Sequence, residues 1–318
     1  MIVLSLFDGI SGGRVALERA GIVADAYFAS EVDAYAIQIA QKNYPSTIQI
    51  GDVSKVSYKE GVLYTDNGNF NVGAIDLLIG GSPCQNFTFA GKREGMVTDA
   101  NVEITSLDQY LELKESGFVF KGQSYLFWEY IRLLREIKPQ YFLLENVKMS
   151  QRWQSVITNA VGVSPVNINS ELLSAQRRNR LYWTNINGGT IPQPNDLKLV
   201  LNDVVREEDN NQYHLSTVHH NAFLKSYKWT PNYLTEKSKP LLASYYKQPP
   251  HCPYIPCTQS ESGYRMLSPV ECERLQTLPD NYTEGISKTQ RYKCIGNGFT
   301  ANVIAYIFSY LQDKMINV

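Results

Sequence analysis

The chain has almost no net charge, no long apolar run and few cysteines, and each shortage excludes something. Thirty basic against 31 acidic residues leave a formal charge of −1 at pH 7. The molecule as a whole is therefore no polycation, and any nucleic-acid surface must be a local basic face. No stretch approaches the ~20 apolar residues of a membrane-spanning helix, so no membrane partner is expected. The opening MIVLSLFDGI carries no basic leader and soon meets Asp8, which reads as the absence of an export signal. Five cysteines, an odd number, then predict free thiols in a reducing cytoplasm. His251, Cys252 and Cys257 have no convincing second pair, so no metal site is predicted. Missing too are the fingerprint G-x-G-x-x-G and a P-loop lysine, which argues against NAD and ATP.

What remains is an ordinary globular composition, 43% hydrophobic and 19% charged over 318 residues, enough for one large or two modest domains. Ile2–Leu6 is a short apolar run, and Phe7-Asp8-Gly9-Ile10-Ser11-Gly12-Gly13 turns into the helical VALERAG. Strand, glycine turn and helix open a doubly wound α/β nucleotide-binding unit, in which glycines let backbone approach a ligand. Tyr27–Ser30 predicts a second strand ending at Glu31, where such folds hold a ribose diol. Ile48–Ile50 predicts a third, leading to Asp52, a suitable acceptor for an adenine amine.

The run Ile75–Ile79 breaks at Gly80-Gly81 and is followed at once by Ser82-Pro83-Cys84-Gln85. A short apolar run bounded by glycine reads as a buried parallel strand, which delivers Cys84 to the crevice at its carboxyl end. Taken alone, such a cysteine is more often a small packing residue than a nucleophile. Tyr125–Lys138 has helical spacing and closes before Pro139; Tyr141–Leu144 is a further strand, ending in Glu145-Asn146-Val147. A thiol and a carboxylate in one crevice suit nucleophilic addition with acid assistance. Gln176, Arg178 and Arg180 precede and enter the apolar strand Leu181–Trp183, and in an extended segment they share one face. Their bland reading is a solvated basic edge; aimed inward, they bind an anion or a base edge and lower a thiol pKa.

Together these stretches resemble the cytosine-5 DNA methyltransferases. FDGISGG is similar to the family's first cofactor motif, SPCQNF to its nucleophile motif, ENV to its acid motif and QRRNRLYW to its Q-x-R-x-R motif. RMLSPVECERLQTLPD and CIGNGFTANV are similar to the last two, and all stand in the family's order. The resemblance implies a Rossmann-like S-adenosylmethionine-dependent catalytic domain over residues 1–186. A small, mostly irregular or β target-recognition domain is implied over 187–263, with a return to the catalytic domain over 264–318. It implies that Cys84 adds to carbon 6 of cytosine while Glu145 shares a proton with ring nitrogen 3. Arg180 would bind the base carbonyl, Arg178 support the site, Pro83 shape the cysteine's approach and Asn146 orient the loop. Phe7, Asp8, Gly9, Ser11, Gly12 and Gly13 would surround the methionine and sugar of S-adenosylmethionine. Glu31 would take its ribose and Asp52 its adenine amine, with Leu126, Asn297 and Gly298 completing the pocket. The implied partner is double-stranded DNA, bound by a monomer of compact bacterial or phage type. A tRNA-directed enzyme, a non-catalytic DNA-binding homologue and a redox enzyme using Cys84 are the alternatives.

Two regions depart from the compact pattern. Between Arg93 and Lys121 there are six acids against three bases, so this insertion should not lie on phosphates. Ser106 with Gln109 predicts a capped short helix there, packed aside while Lys92 and Arg93 meet DNA. Between Asn221 and Ser260 there are five lysines and one acid, interleaved with aromatics. This is the local basic face that the total charge conceals, and Lys225 and Lys228 are expected on phosphates. Arg265 is expected near the recognition region or the backbone. Ser268-Pro269 starts a helix, and Phe299, Val303, Ile307 and Leu311 form one stripe that should dock on the sheet.

Overall fold

A computed structural model of the chain describes residues 1–83, 103–120, 122–205, 211–225 and 229–315, with side chains up to residue 311. Strands β1 (Ile2–Leu6), β2 (Ala26–Ser30) and β3 (Ile48–Gln49) alternate with helices α1 (Gly12–Arg19) and α2 (Ala34–Asn43). A small antiparallel meander follows, β4 (Ser57–Lys59), β5 (Val62–Thr65) and β6 (Gly68–Asn71), before the chain re-enters the main sheet as β7 (Leu77–Gly81). Helix α3 (Leu107–Glu115) lies in the insertion, and α4 (Phe127–Ile137), β8 (Tyr141–Val147), α5 (Gln151–Val161), β9 (Val166–Asn169) and β10 (Asn179–Thr184) complete this part. The seven-stranded sheet runs β3-β2-β1-β7-β8-β10-β9. All neighbours are parallel except β10, which is antiparallel to both β8 and β9. The chain winds outward from β1 in one direction and then resumes on its other side. That reversal opens a crevice beyond the carboxyl ends of β1 and β7.

The central strands are apolar throughout because both faces are covered. Leu4, Leu78 and Leu144 point to one side, into a core with Phe127, Trp128 and Ile131 of α4. Val3, Leu77, Ile79 and Leu143 point to the other, against Ala16 and Leu17 of α1 and Val303, Ile304, Ile307 and Phe308 of the last helix. The expected stripe on that helix does dock there. The meander was not expected, although Glu60-Gly61 carries a signal for it. Both residues adopt positive φ, 52° and 80°, the two-residue turn that matches strand twist.

Beyond β10 the chain builds a second unit with little regular structure. Helices α6 (Leu201–Val204) and α7 (Thr217–Leu224) and the two-stranded ribbon β11 (Tyr254–Pro256) with β12 (Tyr264–Met266) surround a separate core. A mostly irregular or β unit was expected; among the described residues its strands are those of this ribbon. The core includes Leu201, Phe223, Tyr245 and Tyr254, and continues through Leu267, Cys272, Leu275, Tyr292 and Ile295. Helices α8 (Pro269–Leu275) and α9 (Lys288–Asn297) therefore share the small unit's core before α10 (Ala301–Met315) closes on the sheet. Ser268 caps α8 in a reciprocal capping box with Glu271. Arg265 makes a two-pronged ion pair with Glu271, at 2.8 Å on each arm, and is buried. It is tied to α8, not offered to a partner. No described helix is long and apolar enough to cross a membrane.

Where α9 meets the small unit there is no room for a side chain. A Cβ at Gly296 would lie 2.4 Å from the Ala243 nitrogen and 2.4 Å from the Leu242 carbonyl carbon. Backbone cannot swing aside as a side chain does, so Gly296→Ala should force the units apart. Overpacking of this kind costs about 1–3 kcal/mol or more. A lowered denaturant midpoint checks it; an unchanged midpoint would show that the contact is looser than described.

Candidate active site

Three adjoining strand ends form the site. Leu6 of β1 is in register with Gly80 of β7, and Gly81 is in register with Glu145 of β8. A Cβ at Gly80 would lie 3.0 Å from the Tyr130 ring and 3.1 Å from the Leu6 carbonyl oxygen. One at Gly81 would lie 2.9 Å from Phe299 Cε1 and 3.3 Å from Glu145 Oε2. The strand can end here only without side chains, and the chain then enters Ser82-Pro83. Ser82 is buried and Pro83 half-buried. The Asn146 amide donates to Ser82 Oγ at 3.1 Å and accepts from the Val147 N–H at 2.8 Å. Asn146 thus grips the first residue of the loop. Cys84, Lys92, Arg93 and Lys228 lie outside the described residues.

The carboxylate that faces this loop is already oriented. Arg180 Nε forms an ion pair with Glu145 Oε1 at 2.8 Å, with the side chains 17% and 14% exposed. An ion pair at that depth is less screened than one on the surface. Arg180 Nη1 bonds the Asn179 carbonyl. Among the described residues, Arg180 Nη2 and Glu145 Oε2 make no hydrogen bond. Tyr182 stands opposite Glu145 in the ladder. Burial, and then the Glu145 charge, push its phenol well above its usual pKa.

Arg178 does something different from Arg180. It is buried, and its guanidinium donates to the Leu241, Gly296 and Gly298 carbonyls at 3.0, 3.1 and 3.0 Å. Gln176, also buried, accepts from the Leu241 N–H and donates to Gln276 Oε1. Gln276 in turn accepts from Thr300 and donates to the Ile295 carbonyl. The expected shared face of Gln176, Arg178 and Arg180 is therefore divided. The first two knit the small unit to the α9–α10 turn, and only Arg180 reaches the acid.

The glycine turn divides likewise. Asp8 is buried and accepts from Ser5 and Ser11 at 2.6 Å and from Tyr27 at 2.7 Å. Burial pushes its carboxyl up, against the three hydroxyls that stabilise its charge. Asp8 and Ser11 hold the turn in shape; Gly12 and Gly13 are buried in α1. A Cβ at Gly13 would meet Ile79 at 2.4 Å. Phe7, Gly9 and Ser11 adopt positive φ of 56°, 59° and 58°, so the strained loop is fixed by Asp8 rather than by its own preference. Around it, Gly9, Glu31, Asp52, Leu126 and Gly298 are half-buried and Asn297 is exposed. Glu31 accepts from the Gly9 N–H at 2.8 Å, and a Cβ at Gly9 would meet nothing within 4 Å. The turn therefore faces open space beside two carboxylates, which fits a nucleoside with a ribose diol and an amine.

Some residues of the site were not picked out by sequence. Ser5 and Tyr27 serve Asp8. Phe299, expected only as core, lies 3.5 Å from a Cβ at Gly12 and also against Gly81, so one ring separates the glycine turn from the acid. The aromatics of the basic stretch turned out differently too. Phe223, Tyr245 and Tyr254 are buried, while Tyr233 and Tyr246 are exposed. Of its lysines, Lys237 and Lys239 are bound to backbone carbonyls, and Lys225 is exposed.

The sequence model of the C-5 cytosine-specific DNA methylases matches residues 1–156 and 169–313. The chain belongs to that family. It is an S-adenosylmethionine-dependent cytosine methyltransferase. Its relatives include Type II methyltransferase M1.ScrFI of Lactococcus lactis subsp. cremoris, 26% identical over 99% of this chain and 78% of the relative. Type II methyltransferase M.NlaX of Neisseria lactamica is 25% identical over 98% of this chain and 96% of its own length. Among solved structures, the Entamoeba histolytica methyltransferase EhMeth superposes with a TM-score of 0.69 at 17% identity, covering 99% of this chain and 98% of that one. That likeness shows the fold of the methyltransferase.

The wall behind Glu31 depends on an ion pair. Lys293 of α9 donates to Asp33 Oδ2 at 2.7 Å, while Asp33 Oδ1 caps α2. Burial alone would raise the Asp33 carboxyl, but the Lys293 ammonium and the α2 amides outweigh it and hold it below the usual range. A lowered folded pKa contributes stability above the unfolded value, about 4, that is lost as pH falls through the folded value. Asp33→Asn keeps the cap and removes the pair. It should destabilise the enzyme at pH 7, with the two unfolding curves converging as pH falls through the lowered Asp33 pKa. A gap that persists unchanged in acid would exclude the ion pair as its cause.

Proposed function

We propose that this enzyme methylates carbon 5 of a cytosine flipped out of double-stranded DNA, through a covalent adduct to Cys84. The observation that carries the proposal is the Gly81–Glu145 register. It sets a carboxylate, held by Arg180, beside the strand end from which Ser82-Pro83-Cys84 departs. Carbon 5 of cytosine is a weak nucleophile, and addition of the Cys84 thiolate to carbon 6 turns the ring into an enamine. Glu145 Oε2 shares a proton with ring nitrogen 3 as that bond forms, and Arg180 Nη2 donates to the base carbonyl. S-adenosylmethionine supplies the methyl group. Loss of the carbon-5 proton then breaks the bond from sulfur to carbon 6 and restores the thiolate. Pro83 and Asn146 set the cysteine's approach, and Arg178 keeps the surrounding turns in register.

Phe7, Gly9, Glu31, Asp52, Leu126, Asn297 and Gly298 would hold the cofactor, on a turn shaped by Asp8, Ser11, Gly12 and Gly13. A cytosine in a duplex is out of reach of such a crevice. Flipping it costs a few kcal/mol, and methyltransferases are a standing example of enzymes that do so. Lys92, Arg93, Lys225 and Lys228 would meet phosphates, which position the duplex without specifying its sequence. The enzyme would act as a monomer. A tRNA substrate is the second reading, since a flipped base is recognised in the same way on either nucleic acid.

Replacing Cys84 with alanine should abolish methyl transfer while leaving S-adenosylmethionine binding intact; retained turnover would sink the covalent route. Glu145→Gln should slow transfer by about 10²–10⁴-fold, the usual worth of a general acid. Labelled methyl incorporation into duplex DNA but not tRNA supports the first reading, and the reverse result supports the second.

A further inference from the structure

The insertion between β7 and α4 ends in a helix whose lysine reaches the adenine side of the cofactor site. Helix α3 is capped by Ser106, which accepts from the Gln109 N–H at 3.2 Å. It lies against α4, and Tyr110 packs against Phe120 and Tyr125, which precede that helix. Lys114, on its last turn, donates to the Ser54 carbonyl at 3.0 Å and to Glu129 Oε1 at 2.5 Å. Ser54 belongs to the single 3₁₀ turn Val53–Lys55, whose cap is Asp52: Asp52 Oδ1 accepts from the Ser54 N–H at 2.9 Å. The peptides around Ser54 therefore carry both the bond that orients Asp52 and the bond that Lys114 makes.

The same turn is held from a second direction, and both supports share one anchor. Arg132 Nη2 donates to the Val56 carbonyl at 2.6 Å and to Glu129 Oε2 at 2.6 Å. Glu129 is fully buried and also accepts from the Tyr110 hydroxyl. Arg132 pairs with Glu136 as well, at 2.6 Å. Two carboxylates thus face one guanidinium, and Lys114 is the cation that balances the pair. A buried carboxylate that loses a partner is costly, so the cluster favours Lys114 in place. Val53 and Val56 are buried in the core on either side, while an open cleft bordered by Ser54, Lys55, Val56, Leu111, Lys114 and Arg132 lies beside the turn.

We propose that Lys114 is a positioning residue for the adenine end of the S-adenosylmethionine site, fixing the Ser54 carbonyl against Glu129 so that Asp52 is aimed at the adenine amine. The inserted helix thereby sets cofactor selectivity, not only stability. This rests on the assignment of the adenine amine to Asp52, made above.

The test is equilibrium binding of S-adenosylhomocysteine and of S-inosylhomocysteine, which carries an oxygen in place of the amine, to the full-length enzyme. The wild type should prefer the adenine compound by about 10-fold or more, as expected for a hydrogen bond to a charged acceptor. In Lys114→Met that preference should collapse toward unity, with most of the loss in the adenine compound, and Lys114→Arg should restore it. Lys114→Gln, too short to span both partners, replaces the methionine variant if that one does not fold. Equal weakening of both ligands, or an unchanged ratio, would overturn the positioning role. Asp52→Ala separates the two claims: if it leaves the preference intact, the Asp52 assignment fails. If it removes the preference while Lys114→Met does not, only the role of Lys114 fails.

Discussion

The parallel ladder that sets β1, β7 and β8 side by side is the constraint on which the rest depends. Leu6 against Gly80 and Gly81 against Glu145 set the glycine turn, the Ser82-Pro83 segment and the Glu145 carboxylate on neighbouring strands at the same level. The ladder closes this tightly because β7 ends in two residues without side chains. Tyr130 packs on one and Phe299 on the other. A single-residue slip would put every inward side chain on the wrong face, and two apolar layers oppose it. The chemistry is thus positioned by the core, and the loops only extend what the strands have aligned.

A second constraint is polar and lies where the small unit meets the catalytic one. Arg178, Gln176, Gln276 and Thr300 bond one another's elements across segments far apart in sequence, mostly through backbone carbonyls. Groups buried in this way cost free energy unless every partner is present. Such a junction has one satisfied arrangement, and that specificity suits a crevice in which cofactor and base must meet at fixed separation. The Glu129 cluster works by the same logic beside the Val53–Lys55 turn, with charges in place of amides.

Much of this was legible in the sequence because it is local. Continuous apolar runs such as Leu77–Ile79 announce strands covered on both faces, glycine pairs announce their ends, and Ser268 with Glu271 announces a helix start. The resemblance of the six motifs then supplied the order and the chemistry. What escaped was the destination of side chains whose partners lie far along the chain. Arg178 and Arg180 are indistinguishable in the string QRRNR, yet one is consumed by carbonyls near residues 241 and 298 and the other orients Glu145. Asp8 reads as a ligand-binding acid, and nothing in the string reports that Ser5, Ser11 and Tyr27 all donate to it. The aromatics between 221 and 260 read as part of a basic face, whereas Phe223, Tyr245 and Tyr254 belong to the small unit's core. Burial decides between such roles, and no spacing rule reports it.

The most direct measurement of the central claim uses duplex DNA with 5-fluorocytosine at the methylated position, together with S-adenosylmethionine. Fluorine cannot leave carbon 5 as a proton does, so the covalent route predicts a stable protein–DNA adduct. Its mass should equal the sum of enzyme, strand and methyl group, and the cross-link should map to Cys84. Methylation of ordinary cytosine by the same preparation, with no trapped adduct on the fluorinated duplex, would contradict the account.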